Sequence, residues 1–267
     1  MAIFRSLGLK CVPFLKEIVT PMLNVIGRSL CEPGLRDFLF QQLGELVSIV
    51  TQRIRPYLQD ILQLIDEYWK IEPLQAQILG LVERLAVALG DEFKPHLATL
   101  VPRMLSILRA DRTDGRQSSL KVLHSFEVLG ANLDRHLHLV VPELVKLVNQ
   151  SEANDTGNVF QRSAMRTVGY LCRVANVSDF ASRIVHPIVR VLESTTNLKL
   201  RDDAMTTLCN LIFHIRDIVT IFLPTLKKVL FRQKIQHDRS ARHRRHRPHR
   251  SPAHYPIIPS RRVGLQH

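Results

Sequence analysis

Residues 95–129 read PHLATLVPRMLSILRADRTDGRQSSLKVLHSFEVL, and the fold follows from how this stretch breaks up. Pro95 to Ala110 is expected to form a first helix with Pro102 several residues inside it. Asp111 to Gly115 form a short polar turn, and Arg116 to Leu129 a second helix. An interior proline removes a backbone donor and bends the axis, which lets the first helix curve over its neighbour. Just before this stretch, Leu74, Ile78, Leu81, Val82, Leu85 and Leu89 follow helical spacing and mark one apolar stripe. Leu39, Leu43, Leu46, Val47 and Val50 mark another. Short Val/Ile runs such as Leu139 to Val141 sit inside longer helical patterns, so the body reads as all-helical.

The pattern then repeats. Prolines preceded by apolar residues occur at Pro21, Pro102, Pro142, Pro187 and Pro224, at intervals of 81, 40, 45 and 37, with one member missing near Leu64. Arg36, Gln75, Arg116, Arg162 and Arg201 form a second column at intervals of 39, 41, 46 and 39. Gly90-Asp91-Glu92, Gly130 to Asp134, and Asn176 to Asp179 read as the short turns between units, which force antiparallel neighbours. Gln150 to Asn158 reads as a polar insertion loop. One helical pair cannot cover its own apolar face, so pairs must stack. The expected fold is an all-α, right-handed solenoid of about five helical hairpins plus one helix near Thr220 to Ile235, occupying residues 1–236. Its uncapped ends are expected to leave apolar faces open and to make the chain associate.

Residues 237–267 are different in kind. Eight Arg and one Asp give them a net +7 of the chain's +13, alongside His243, His246 and His249 and the prolines Pro252, Pro256 and Pro259. Disorder is expected there. The tail has the charge for nuclear import or non-specific nucleic-acid contact, but its single aromatic, Tyr255, offers no stacking platform, so nucleic acid is not the expected partner. The +6 left on the body argues for no polyanion.

The chain carries no phosphate-cradling glycine motif, nucleophile elbow or kinase signature, so no catalytic, cofactor-binding or metal-binding residue is assigned and no cofactor or small-molecule substrate is expected. Asp202 and Asp203 are read as acidic residues at a helix start, favoured by the dipole. His136 and His138, two residues apart, face different directions and are read as surface residues. The three tail histidines lie among arginines that repel a cation, and His186 is read as packing. Cys11, Cys31, Cys172 and Cys209 show no clustered spacing and are read as reduced, buried thiols. No run of apolar residues is long enough for a membrane span, so a cytoplasmic chain is expected. The Arg column is read as a ladder that pairs with an acidic or carbonyl group in the turn of the adjacent unit, as with Asp111 near Arg116 and Glu193 before Arg201. A ligand-binding stripe is the other reading.

The proline-bearing first helix, the Asp-turn-Arg arrangement and the period near forty resemble HEAT repeats. Four stretches are similar to the target-of-rapamycin kinases in particular: Arg36 to Gly44, Val87 to Lys94, Gly130 to Asp134, and Ala181 to Arg190. The likeness covers about residues 2 to 236 and stops near Gln236 to Arg239, which suggests a truncated, mis-spliced or mispredicted gene product more than an isoform with a nuclear tail. It implies part of the scaffold of a serine/threonine kinase in nutrient and growth signalling, without the kinase domain. Implied partners are a raptor-type adaptor, other complex subunits or a second copy of the kinase, and endomembrane association would come through them. The alternative is a transport-receptor-like HEAT protein that binds cargo or a small GTPase; it expects acidic stretches on the inner helices.

Overall fold

A computed structural model describes residues 2–28, 32–111, 113, 115–150, 155–215, 219–229 and 231–232. The described residues are helical throughout their ordered elements and contain no strand. Helices α1 (Ala2–Leu7), α2 (Leu15–Ile26), α3 (Pro33–Val50), α4 (Leu58–Tyr68), α5 (Gln75–Leu89) and α6 (Leu97–Ala110) occupy the first half. They are followed by α7 (Gln117–Leu129), α8 (Leu137–Asn149), α9 (Asp155–Val174), α10 (Ala181–Ser194) and α11 (Leu198–His214). Helical backbone also covers 219–229 and 231–232. The chain divides into compact units Met1–Leu223 and Pro224–His267, and all five pairs, α2–α3 through α10–α11, lie in the first. Helix α1 precedes them and packs against α3. The expected boundary at 236/237 and the whole tail fall outside the described residues.

The pairs form two layers. In one, α3 packs on α5, α5 on α7, α7 on α9 and α9 on α11; in the other, α2 lies beside α4, α6 beside α8 and α8 beside α10. The stripe Leu74, Ile78, Leu81, Val82, Leu85 and Leu89 is buried as expected. In α3 the buried stripe is Phe40, Leu43, Leu46, Val47 and Val50, and Leu39 is only half-buried, one residue off the expected face. Leu139 to Val141 lie inside α8. Prolines 21, 102, 142 and 187 lie inside α2, α6, α8 and α10, which are the first helices of their pairs.

Ahead of the first pair and between the first four, the chain does more than turn. Gly8–Phe14, Thr51–Tyr57, Gly90–His96 and Gly130–His136 are seven-residue 3-10 segments, and the fourth residue of each, Cys11, Ile54, Phe93 and Leu133, is sealed into the core. Each large plug contributes about 2 kcal/mol by leaving water. Pro95, expected in the first helix, is not part of it. It belongs instead to the 3-10 segment, and α6 starts at Leu97. The segments open on a residue with positive φ: Gly8 at 54°, Thr51 at 51°, Gly90 at 57° and Gly130 at 49°. Thr51 therefore holds a backbone shape that its three counterparts give to glycine. The expected insertion loop at 150–158 is shorter than read, because α9 begins at Asp155; residues 151–154 lie outside the described set.

Candidate interaction face

The second helices of the pairs, α3, α5, α7, α9 and α11, present one continuous face tied together by polar contacts between residues one repeat apart. Arg84 on α5 donates through Nη2 to Glu45 Oε1 on α3 at 2.6 Å. Glu83 accepts from Lys121 Nζ and Ser125 Oγ on α7, both at 2.6 Å. Thr167 Oγ1 on α9 donates to Glu127 on α7 at 2.8 Å, and Arg162 Nε donates to Asp203 on α11 at 2.7 Å. Two side chains of α11 reach backbone carbonyls of α9: Thr207 Oγ1 to Met165 at 3.1 Å and Asn210 Nδ2 to Gly169 at 3.1 Å. Gly169 allows this approach, since a Cβ there would lie 2.6 Å from Thr207 Oγ1. The other layer is bridged in the same way by Arg103 to Asp66 and by Arg109 to Glu143, the latter at 2.9 Å.

The ladder is real, yet its members are mostly not those of the Arg column, and this corrects the sequence reading. Arg36 donates to the carbonyls of Ile26 at 3.2 Å and Arg28 at 2.7 Å, and Arg201 to that of Thr195 at 2.9 Å. Gln75 reaches Trp69 O at 3.5 Å. These residues cap carbonyls at or just past the end of the first helix in their own pair, satisfying acceptors that a helix C-terminus leaves open. In the fourth pair Gln161, the neighbour of Arg162, does this job by donating to Val148 O at 2.7 Å, while Arg162 bridges to the next repeat. Arg116 has a left-handed backbone and lies over the Phe160 ring, 4.6 Å from its centroid. Asp111 accepts from the backbone and hydroxyl groups of Thr113 and Ser119. Burial alone would raise its carboxyl pKa, but these four donors hold it below the ordinary value.

Other candidates also find their places. Asp202 and Asp203 lie beyond the first turn of α11, so the dipole reading fails; Asp202 is exposed and Asp203 is the partner of Arg162. The N-terminus of α11 is capped instead by Asn197, which accepts from Lys199 N and Leu200 N. His138 is exposed and His136 half-buried, whereas His186 is exposed and it is Pro187 that packs, contrary to expectation. Cys11 and Cys172 are buried free thiols, but Cys209 is exposed; Cys31 and the tail histidines lie outside the described residues. Burial pushes the Cys172 thiol up to about 12. Among the described residues no His, Cys, Asp or Glu cluster is arranged to hold a metal ion, and no helix is long and apolar enough to cross a membrane.

Two clefts open on this face. One, of about 390 Å³, crosses the C-terminal ends of α3 and α5 and reaches α7; Ser48, Thr51, Arg84, Val87, Ala88 and Val128 line it, and Val87 is 72% exposed. The other, of about 240 Å³, lies between α9 and α11. Large exposed apolar side chains concentrate toward the two ends of the row: Leu7, Leu9, Phe14, Leu35 and Phe38 at one, Leu198, Phe213 and Ile221 at the other. The sequence reading missed the acidic partners Glu45, Glu83 and Glu127 and the exposed Val87. For Glu45 and Glu83 the available signal was an oppositely charged residue about forty positions on, Arg84 and Lys121.

Comparison with known proteins places the chain in a family. Residues 1–51 match the family model of the serine/threonine-protein kinase mTOR domain. The chain is 37% identical over 234 residues to the serine/threonine-protein kinase mTor of Drosophila melanogaster, covering 87% of this chain and 9% of that protein. It is 38% identical over 239 residues to the kinase tor1 of Schizosaccharomyces pombe, covering 89% and 10%. With the kinase TOR of Arabidopsis thaliana it shares 34% over 261 residues, covering 93% and 10%. That last coverage is more than residues 1–236 alone can supply, so the correspondence runs past the point where the sequence reading stopped it. The chain spans about a tenth of the length of these relatives. Over that span it belongs to the target-of-rapamycin kinase family, as a stretch of stacked helical pairs.

Proposed function

We propose that this chain is a protein-binding scaffold, a non-catalytic part of a target-of-rapamycin kinase acting in nutrient and growth signalling. Residues 1–236 form the binding body and 237–267 a basic appendage. Its partners are a raptor-type adaptor, other subunits of the complex or a second kinase copy, and it works in the cytoplasm, reaching endomembranes through those partners. The observation that carries this reading is the apolar cleft across α3, α5 and α7, where Val87 stands 72% exposed among Thr51, Ala88 and Val128. An exposed apolar anchor in a shaped cleft is how interfaces concentrate binding energy. The interlocked face behind it supplies the rigidity that limits the entropy cost of association.

The test is capture of a purified raptor-type adaptor by the purified full chain. Capture is expected, and Val87→Asp should abolish it while leaving the helical circular-dichroism spectrum unchanged. Absence of capture by the folded chain, or phosphoryl transfer from ATP by the chain alone, would overturn the proposal.

A further inference from the structure

The cleft between α9 and α11 is lined by Arg166, Tyr170 and Arg173 of α9 and by Thr206 and Asn210 of α11. The spacing i, i+4, i+7 places the three α9 side chains on one stripe. Most polar groups around them are already engaged. Asp203 receives Arg162 at 2.7 Å, Glu127 receives Thr167 at 2.8 Å, and the Asn210 amide is spent on Gly169 O. Arg166 is exposed and has no hydrogen-bond or ion-pair partner among the described residues. Arg173 is also exposed, and its guanidinium rests over the Tyr170 ring, 5.1 Å from the centroid. Stacking of this kind restrains the side chain and leaves the in-plane N–H donors free.

Arginines on a helix face usually do no more than solvate it. Here two of them open on a shaped cleft of about 240 Å³, neither is ion-paired with Asp203 or Glu127 in its wall, and one guanidinium is held in place before any ligand arrives. We propose that this cleft receives an acidic segment of a partner protein, whose Glu or Asp carboxylates are held by the donor forks of Arg166 and Arg173. The inference rests on the scaffold reading and adds the chemistry of one of its contacts. A nucleic-acid strand suits the cleft less well. The lining offers only two arginines and one aromatic ring, Tyr170, which Arg173 already covers, so a strand with a charge at every nucleotide finds few contacts, whereas side-chain carboxylates match the two donor forks.

The probe is a fluorescein-labelled peptide of alternating Glu and Ala, titrated into the full chain and followed by anisotropy. Because the basic tail also attracts acidic peptides, the readout is the difference between variants. Arg166→Ala with Arg173→Ala should weaken binding about tenfold or more, since two charge-assisted contacts are lost. Thr206→Glu, which places a carboxylate beside the arginines without removing either, should weaken it comparably, and a tail variant, Arg244→Ala with Arg245→Ala, much less. Unchanged binding in both cleft variants overturns the inference. So does a result in which the cleft variants lose only a single-stranded oligonucleotide. Failure of the peptide with adaptor capture intact removes this inference alone; peptide binding without adaptor capture removes the adaptor reading and leaves the cleft.

Discussion

Ser125 Oγ on α7 donates to Glu83 Oε1 on α5 at 2.6 Å, across 42 residues of sequence, and so joins two consecutive repeats through a carboxylate that is only 8% exposed. Lys121 Nζ completes the site at 2.6 Å from the second oxygen. A buried carboxylate is tolerable only with such partners, and removing it strands both of them. Glu83→Ala should therefore destabilise the chain by about 2–3 kcal/mol, and Ser125→Ala by about 1 kcal/mol, measured by chemical denaturation. Equal and negligible effects would show that the bridge contributes nothing.

Thr51 adopts φ 51° and ψ −124°, within a few degrees of Gly90 at 57° and −125° and Gly130 at 49° and −123°. A side chain there is strained wherever it occurs. Thr51→Gly should raise stability by about 1 kcal/mol, the relief of strain outweighing the extra freedom of glycine when unfolded. Gly90→Ala should cost about 1–3 kcal/mol from the backbone alone, because a Cβ at that position meets no atom within 4 Å. Opposite signs in thermal melts are the expected outcome.

Gly169 and Thr207 decide how closely α9 and α11 pack. A Cβ on Gly169 would sit 2.6 Å from Thr207 Oγ1 and 3.3 Å from Thr207 Cα, and backbone cannot yield as a flexible side chain does. Gly169→Ala should force the helices apart, break Asn210 to Gly169 O, and cost about 2–3 kcal/mol in urea titrations. Gly80→Ala, on α5 with open space around its Cβ, should be neutral or stabilising because alanine favours helix.

Burial, with the charges of His138 and Arg135 adding to it, holds the His136 pKa below its ordinary 6.5. In the window beneath that value the unfolded chain binds more protons than the folded one, so stability rises with pH there. His136 thus contributes stability that is complete above 6.5 and is lost as the pH falls through the folded pKa. Glu143 behaves likewise lower down: its bond from Arg109 and that from Lys146 depress its pKa from 4.5, and its contribution disappears on further acidification. His136→Gln should flatten the melting-temperature profile between about pH 7 and pH 5 and leave the acid limb in place.

Thiol labelling of the native chain separates the cysteines by surroundings. Cys209 is exposed and should react promptly with a disulfide reagent. Cys172, with its pKa pushed up to about 12, and buried Cys11 should react only through opening of the fold. Cys209→Ser should remove a fast-reacting thiol, and Cys172→Ser should leave the fast amplitude unchanged.

The helices, their pairing and their period are written in local spacing along the chain. Apolar residues at three- and four-residue intervals place the stripe Leu74 to Leu89, and the prolines at 102, 142 and 187 mark successive first helices. What each polar residue touches is set only when the repeats pack against one another. Arg36 and Arg201 reach carbonyls in their own pair, acceptors that have no signature in the sequence, while Arg162, at the same column position, turns to Asp203 of the next. His186 is exposed and Pro187 beside it is buried because adjacent helical positions point about 100° apart, and which of them is covered depends on the neighbouring helix. Nothing in the residue type marks Thr51 for its positive φ, since the residue that favours this backbone is glycine, as at Gly8, Gly90 and Gly130. Periodicity is a property of neighbours along the chain, whereas partnership depends on the rotation and stagger of one repeat against the next, which arise only when the faces pack.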